Sequence, residues 1–413
     1  MSNISKAKTT RRGFMGASVA ALGAAGLCLA EAGIAQTTTG SAPATAVDQN
    51  PIRRRGTGFR ALNPAKASPG FTLFSPLEGD GTVYLIDLQG KVVHPWKMPY
   101  PPGLYGYLTE KGTLFYNGKI DNDTILGKTP PHGGVALEAD WNGKVLWEVR
   151  QPEQHHDGRL LKNGNILLLC ATALPDEIAH KVQGGAVGAG GAEGGRGGGR
   201  GGNRKMAGDY LVEMTTTGKV VWEWRSWEHL DPATDVIIDG GRAEWTHGNG
   251  MAELPDGNIM LSFRNTCTII QIDRKSGDIV WKMGPPTLSV QHAPTPLPNG
   301  HLLIFDNGLH STSRVIEVQP STKEITWKYQ EPVPTGFFST RIGNAQRLPN
   351  GNTLINEGVF GRFFEVTSEG ETVWEYVNPY FGFANDPPAK QQNDVFRVYR
   401  YTPEEIERAR RTA

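Results

Sequence analysis

The sequence is short of three things, and each shortage excludes something. Charge of one sign is missing: 42 basic residues balance 42 acidic ones, so no electrostatic footprint argues for nucleic acid or an anionic membrane surface. Cysteine is scarce, with only Cys28, Cys170 and Cys267. Cys28 lacks a small residue immediately before it, which disfavours a lipoprotein. Cys170 and Cys267 sit in apolar strand contexts, where a bridge and two buried thiols both stay open. Long helical patterning is also missing before residue 402, where alternating strand patterns take its place and support an all-β reading.

What is present at the start is an export signal. Thr10-Arg11-Arg12-Gly13-Phe14-Met15 precedes an apolar Ala/Gly-rich run from Gly16 to Ala30, with small residues near Ala32 and Ala35. That pattern reads as a twin-arginine signal over residues 1–35, not as a membrane anchor, because the run is short and weakly hydrophobic. It predicts a periplasmic protein that meets the twin-arginine export machinery and leaves the membrane after processing. Residues 36–66 read as an extended polar leader.

The rest of the chain repeats itself. One phrase, a turn followed by an apolar pair and Trp, recurs as Gly143-Lys144-Val145-Leu146-Trp147, Gly218-Lys219-Val220-Val221-Trp222 and Gly277-Asp278-Ile279-Val280-Trp281. Further copies end at Trp327 and Trp374, and a variant ends at Trp96. A second phrase opens units, as in Leu254-Pro255-Asp256-Gly257-Asn258 and Leu297-Pro298-Asn299-Gly300-His301. From residue 222 onward the Trp positions are 59, 46 and 47 apart, near the length of a four-stranded propeller blade. Six copies predict an all-β fold: a six-bladed β-propeller over residues 67–380, followed by a strand-and-helix tail over 381–413. The Gly-rich stretch 183–204 interrupts one repeat as a disordered surface insertion. Its glycines lack the strand–helix setting of a nucleotide-binding loop.

Aligned on the Leu of the opening phrase, His156, Asn249 and His292 occupy one equivalent point, and His247 lies two residues before Asn249. These positions begin innermost strands, so a closed ring turns them toward its axis, and Arg264 ends the following strand. Neighbouring His155 is an alternative to His156. Tyr105, Phe337 and Phe338 are candidates to stack on an aromatic substrate. An inward His cluster suits several chemistries: a metal-dependent oxygenase, hydrolase or lyase, a non-catalytic binding propeller, or an anion site. Arg264 and Asn249 favour the anion, since a guanidinium beside a central cation is unfavourable.

Taken together, Trp245-Thr246-His247-Gly248-Asn249 with Arg264 seventeen residues after the His, Gln291-His292-Ala293-Pro294, Phe305-Asp306-Asn307-Gly308 and Gly70-Phe71-Thr72-Leu73-Phe74 resemble the bacterial arylsulfotransferase (arylsulfate sulfotransferase) family. Leu85-Ile86-Asp87 with Gly90-Lys91-Val92-Val93-His94 and Trp96 fits as well. The likeness spans about residues 67–400 in a short form without a substantial N-terminal β domain or a closely spaced cysteine pair. It implies a sulfuryl transferase that passes the group from an aryl sulfate to a phenol, with neither a nucleotide donor nor a cofactor and with no metal. On this likeness His292 matches the nucleophile. His247, Asn249 and Arg264 match the sulfate-binding and proton-handling group, and His156 matches the remaining central His. The chemistry is sound in itself. Neutral imidazole is a competent nucleophile, cationic donors stabilise the developing charge, and a covalent intermediate predicts ping-pong kinetics.

Overall fold

The computed structural model describes residues 56–186, 205–309, 312–383 and 391–413. The signal 1–35, most of the leader, residues 187–204 of the Gly-rich insertion and His310 lie outside the described residues. Six antiparallel sheets of four strands or more stand in sequence around a ring, making a six-bladed β-propeller. Among the described residues no helix is long and apolar enough to cross a membrane.

The inner strands of the ring are Pro102–Leu108, Gln154–Leu160, Gly248–Glu253, His292–Pro296, Asn344–Arg347 and Val395–Tyr401. The last of these is the segment that sequence reading set apart as a tail. It forms the innermost strand of the first blade, pairing Phe71 with Tyr401 and Leu73 with Tyr399. The ring therefore closes by hydrogen bonds between segments more than 300 residues apart. At the other end, Gly58–Leu62, read as part of an extended leader, adds a fifth, outer strand to the sixth blade. Gly184–Ala186, inside the expected insertion, pairs in parallel with Ile237–Gly241. Only a short helix, Pro403–Arg410, follows the closing strand, and Thr402 and Glu405 cap it reciprocally.

Two recurring devices explain why the sequence repeats. The opening phrase makes a tight turn: Leu254 N–H donates to Asn258 O at 2.8 Å and Gly257 N–H to Leu254 O at 3.0 Å. Gly257 holds φ at 85°, which a side chain would resist. The Trp phrase joins blades. Trp281 Nε1 donates to Pro320 O, Trp327 to Ser368 O and Trp374 to Leu88 O, at 2.7–2.8 Å. Trp96 reaches Asp140 O at 3.2 Å, and in the third blade Trp224, two residues past the phrase's own Trp222, reaches Gly277 O at 2.8 Å. Each acceptor lies in the turn before the outermost strand of the next blade, so five of six blade junctions carry an indole staple of this kind. At the remaining junction Trp147 turns back to Glu138 of its own blade, at 2.5 Å. Between blades the core is apolar, as where Leu169, Leu211 and Trp224 meet Leu261 and Phe263. Cys170 and Cys267 are both buried and free.

Candidate active site

At one mouth of the central channel lies a cavity with an empty volume of about 910 Å³, its opening included. Leu77, Leu104, Ile342 and Phe396 make its apolar wall. His156, His247, Glu244, Lys119, Arg341 and Asp394 make its polar one. These residues come from the loops and strand starts of several blades, so the cavity exists only when the ring is closed.

The ring brings three imidazoles together. His156 and His247 stand edge to face with centroids 4.7 Å apart, and the Phe396 ring lies 6.1 Å from His156 and 6.5 Å from His292. His292 does not itself line the cavity. It meets Ile342, whose N–H donates to His292 Nε2 at 3.3 Å and whose side chain is part of the wall. Sharp turns aim these side chains: His156, His247, Ala293 and Ile342 all hold φ between 47° and 51°. Left-handed backbone at non-glycine residues costs about 1–3 kcal/mol each and gathers at functional sites.

Each hub imidazole is held at Nδ1. His292 Nδ1 donates to Asn307 Oδ1 at 2.7 Å. Asn307 is itself oriented, because its Nδ2 donates to Ser339 O and Ile342 O at 2.8 and 3.0 Å. His247 Nδ1 is 3.0 Å from Glu244 Oε2. His156 Nδ1 is 2.7 Å from Nδ1 of His155, whose Nε2 faces Asp209 Oδ1 at 3.1 Å. Chemistry at these three rings therefore runs through Nε2, which at His292 has first to release the Ile342 N–H. Burial, followed by the neighbouring His247, His155, His292 and Arg397, depresses the His156 pKa well below the ordinary value. His156 is neutral at neutral pH.

The other expected site residues divide. His155 is fully buried behind His156 and touches the cavity only through it. Asn249 is buried and donates from Nδ2 to Gln291 O at 2.7 Å, holding the strand start that carries His292. Arg264 N–H meets His247 O at 3.1 Å, but its guanidinium pairs with Asp239 at 2.7 Å and is not part of the cavity wall. Tyr105 is buried, its hydroxyl held by Asp157 and by Arg397 Nη1, so its ring is not offered to a substrate. Phe337 is wholly buried among Phe305, Tyr329 and Phe364. Phe338 is half-buried, with its N–H on Glu357, and lies outside the cavity wall. Aromatic contact in the cavity comes instead from Phe396.

Several participants escaped sequence reading. Asp209, Glu244, Arg341 and Arg397 carry no repeat signature; only Glu244, three residues before His247, had spacing to suggest a partner. Arg397 is fully buried beneath the hub, 2.9 Å from Asp157 Oδ2 and 3.2 Å from Asn249 O. Burial works against the Asp157 carboxylate, yet Arg159 and Arg397 outweigh it and hold the group below its usual range. In the cavity wall burial pushes Asp394 up to about 6 against the opposing charge of Arg341, which is 2.6 Å away. Among the described residues, no group of three His, Cys, Asp or Glu side chains converges as metal ligands would.

Fold and site together define a β-propeller with a histidine-rich hub opening into a partly apolar cavity. Residues 192–379 match the family model Arylsulfotransferase (ASST), a stretch that contains His247, Asn249, Arg264 and His292. This match supports the arylsulfotransferase family for the chain, and with it arylsulfotransferase activity in general. No curated protein matches the chain in sequence. Among solved structures, a protein of unknown function from Bacteroides caccae is 14% identical, covering 75% of this chain and 94% of that chain at a TM-score of 0.48. A functionally unknown protein from Desulfotomaculum acetoxidans is 9% identical over 81% of this chain and 99% of that one, with a TM-score of 0.44. Virginiamycin B lyase from Staphylococcus aureus is 14% identical over 78% and 89%, with a TM-score of 0.41.

Proposed function

We propose that the protein moves a sulfuryl group from an aryl sulfate to a phenol through a sulfurylated histidine, without a nucleotide donor, in the periplasm after twin-arginine export. The observation that carries this reading is the shared Nδ1 anchoring of His156, His247 and His292 beside a cavity wide enough for a phenol. An Nδ1–H tautomer puts the lone pair on Nε2, where a nucleophile or base needs it.

In this reading His292 Nε2 attacks sulfur as the bond from sulfur to the aryl oxygen breaks, releasing a phenolate. His247 and Arg341 face the sulfate oxygens and stabilise their charge. Arg264, tied to Asp239, supports the His247 backbone from below. The acceptor phenol then attacks sulfur, the nitrogen–sulfur bond returns its pair to His292, and a neighbouring imidazole takes the phenol proton. Phe396, Leu104 and Leu77 cover the aromatic ring.

Incubation with 4-nitrophenyl sulfate, with and without phenol, tests the proposal. Nitrophenolate release is expected to rise with phenol in a ping-pong pattern, and intact mass to show one added sulfuryl group on a His292 peptide. His292→Ala is expected to lower turnover by about ten-thousand-fold. A chain that neither releases nitrophenolate nor gains mass would refute the reading. A mass gain on His156 instead would reassign the nucleophile.

A further inference from the structure

One carboxylate on the third blade touches the supports of two hub histidines. Asp209, on the strand Ala207–Met214, is only 2% exposed, and Oδ1 faces His155 Nε2 at 3.1 Å. Its Oδ2 accepts from Thr246 Oγ1 and Gly248 N–H, both at 2.5 Å. These are the residues on either side of His247, the position held at φ 51°. Burial works against its charge, but His155, the Thr246 hydroxyl and the Gly248 amide overcome it and keep Asp209 ionised. From His155 the contact continues to His156, Nδ1 to Nδ1 at 2.7 Å.

The direction of the protons follows from the first acceptor. An ionised carboxylate only accepts, so Asp209 draws the proton of His155 to the facing Nε2 and leaves Nδ1 as the acceptor in the short contact with His156. His156 must then donate from Nδ1, which leaves its own lone pair on Nε2 at the cavity wall. We propose that Asp209 and His155 act as a positioning pair that fixes His156 as the base of the acceptor half-reaction. This deepens the sulfotransferase reading and rests on it. In that step the O–H bond of the phenol breaks, its proton goes to His156 Nε2, and its electron pair forms the new bond to sulfur. The imidazolium so formed is stabilised by donation to His155, which stays anchored on Asp209. Facing His156 are His155, His247, His292 and Arg397, with Glu244 beyond His247. In this set Asp209 and Glu244 supply the negative charge at the two ends of the imidazole row.

Asp209→Asn tests the pair, because it keeps the shape but turns an N–H toward His155 Nε2, which reverses both tautomers. With 4-nitrophenyl sulfate, whose leaving group departs without a proton, the variant is expected to keep its first-turnover burst. Steady-state transfer to phenol is expected to fall by about 100-fold. The loss should shrink with acceptor phenols acidic enough to be ionised at the assay pH. Equal loss in both half-reactions, with no dependence on acceptor acidity, would overturn the proposal. Histidine ¹⁵N spectra give a readout without substrate: His156 should carry its proton on Nδ1 in the parent and on Nε2 in Asp209→Asn. Should that variant not fold, His155→Gln, read in the same two ways, replaces it. An Nε2–H tautomer at His156 in the parent protein would sink the positioning pair even if sulfuryl transfer is observed. The expected tautomer in a chain without transferase activity would leave the pair standing and refute the parent reading.

Discussion

At the scale of single residues, the hub is a set of imidazoles whose neighbours decide what each ring can do. His156 shows this best, since burial and the positive charge of the Arg397 guanidinium and of neighbouring imidazoles lower its proton affinity. The unfolded chain binds a proton at His156 below about pH 6.5, while the folded chain does not until lower pH. Its contribution to stability is therefore complete above that value and is lost on acidification, by up to about 1.4 kcal/mol per pH unit. Thermal unfolding of the parent and of His156→Asn, compared from pH 8 to pH 5, should show the parent falling more steeply below pH 6.5. Parallel curves would mean that His156 is not held neutral. The residue scale is also where the sequence was least legible. Three hub histidines could be found from their repeat positions, but Asp209 sits in the body of a strand, 54 residues from His155, and no spacing ties the two. Phe337 looked available for stacking because sequence shows aromaticity without showing that Phe305, Tyr329 and Phe364 already enclose it.

At the scale of elements, the closing strand Val395–Tyr401 is secured on both sides. On one side it pairs with Phe71–Pro76. On the other, side-chain amides of the sixth blade imitate a neighbouring strand. Asn344 donates to Val398 O at 2.8 Å and accepts its N–H at 2.9 Å, and Gln346 does the same for Arg400 at 2.9 and 2.7 Å. Replacing either amide by Leu leaves a buried donor and acceptor unmet, costing about 1–3 kcal/mol. Asn344→Leu and Gln346→Leu should lower the unfolding temperature and speed amide exchange at residues 398 and 400, respectively. Unchanged exchange would show that the backbone pairing suffices alone. Blade length and the six Trp phrases were readable because every unit has to turn tightly on a glycine and most send an indole to the next blade. The seam was not readable as such, since the closing strand matches no copy of either phrase and its partner lies at the opposite end of the described fold.

At the scale of the whole molecule, the cavity spans the seam. Leu77 and Phe396 belong to the first blade, Leu104 to the second, His156 to the third, and Ile342 lies at the start of the sixth. A ligand bound there connects elements that otherwise meet only through the ring. An aryl sulfonate, which resembles the donor but offers no aryl oxygen as leaving group, is expected to raise the unfolding temperature of the parent. At a concentration a hundred times its Kd, the stabilisation should be about 2.7 kcal/mol. In a His156→Ala, His247→Ala double variant the shift should largely vanish; a full shift there would place the ligand elsewhere.

The closing strand also sets a clock. Synthesis runs from the amino end, and Phe396 and Asp394 are among the last parts of the pocket to leave the ribosome. Until they do, the imidazoles that precede them have no finished chamber around them, so a half-made chain is chemically silent however well its earlier blades have formed.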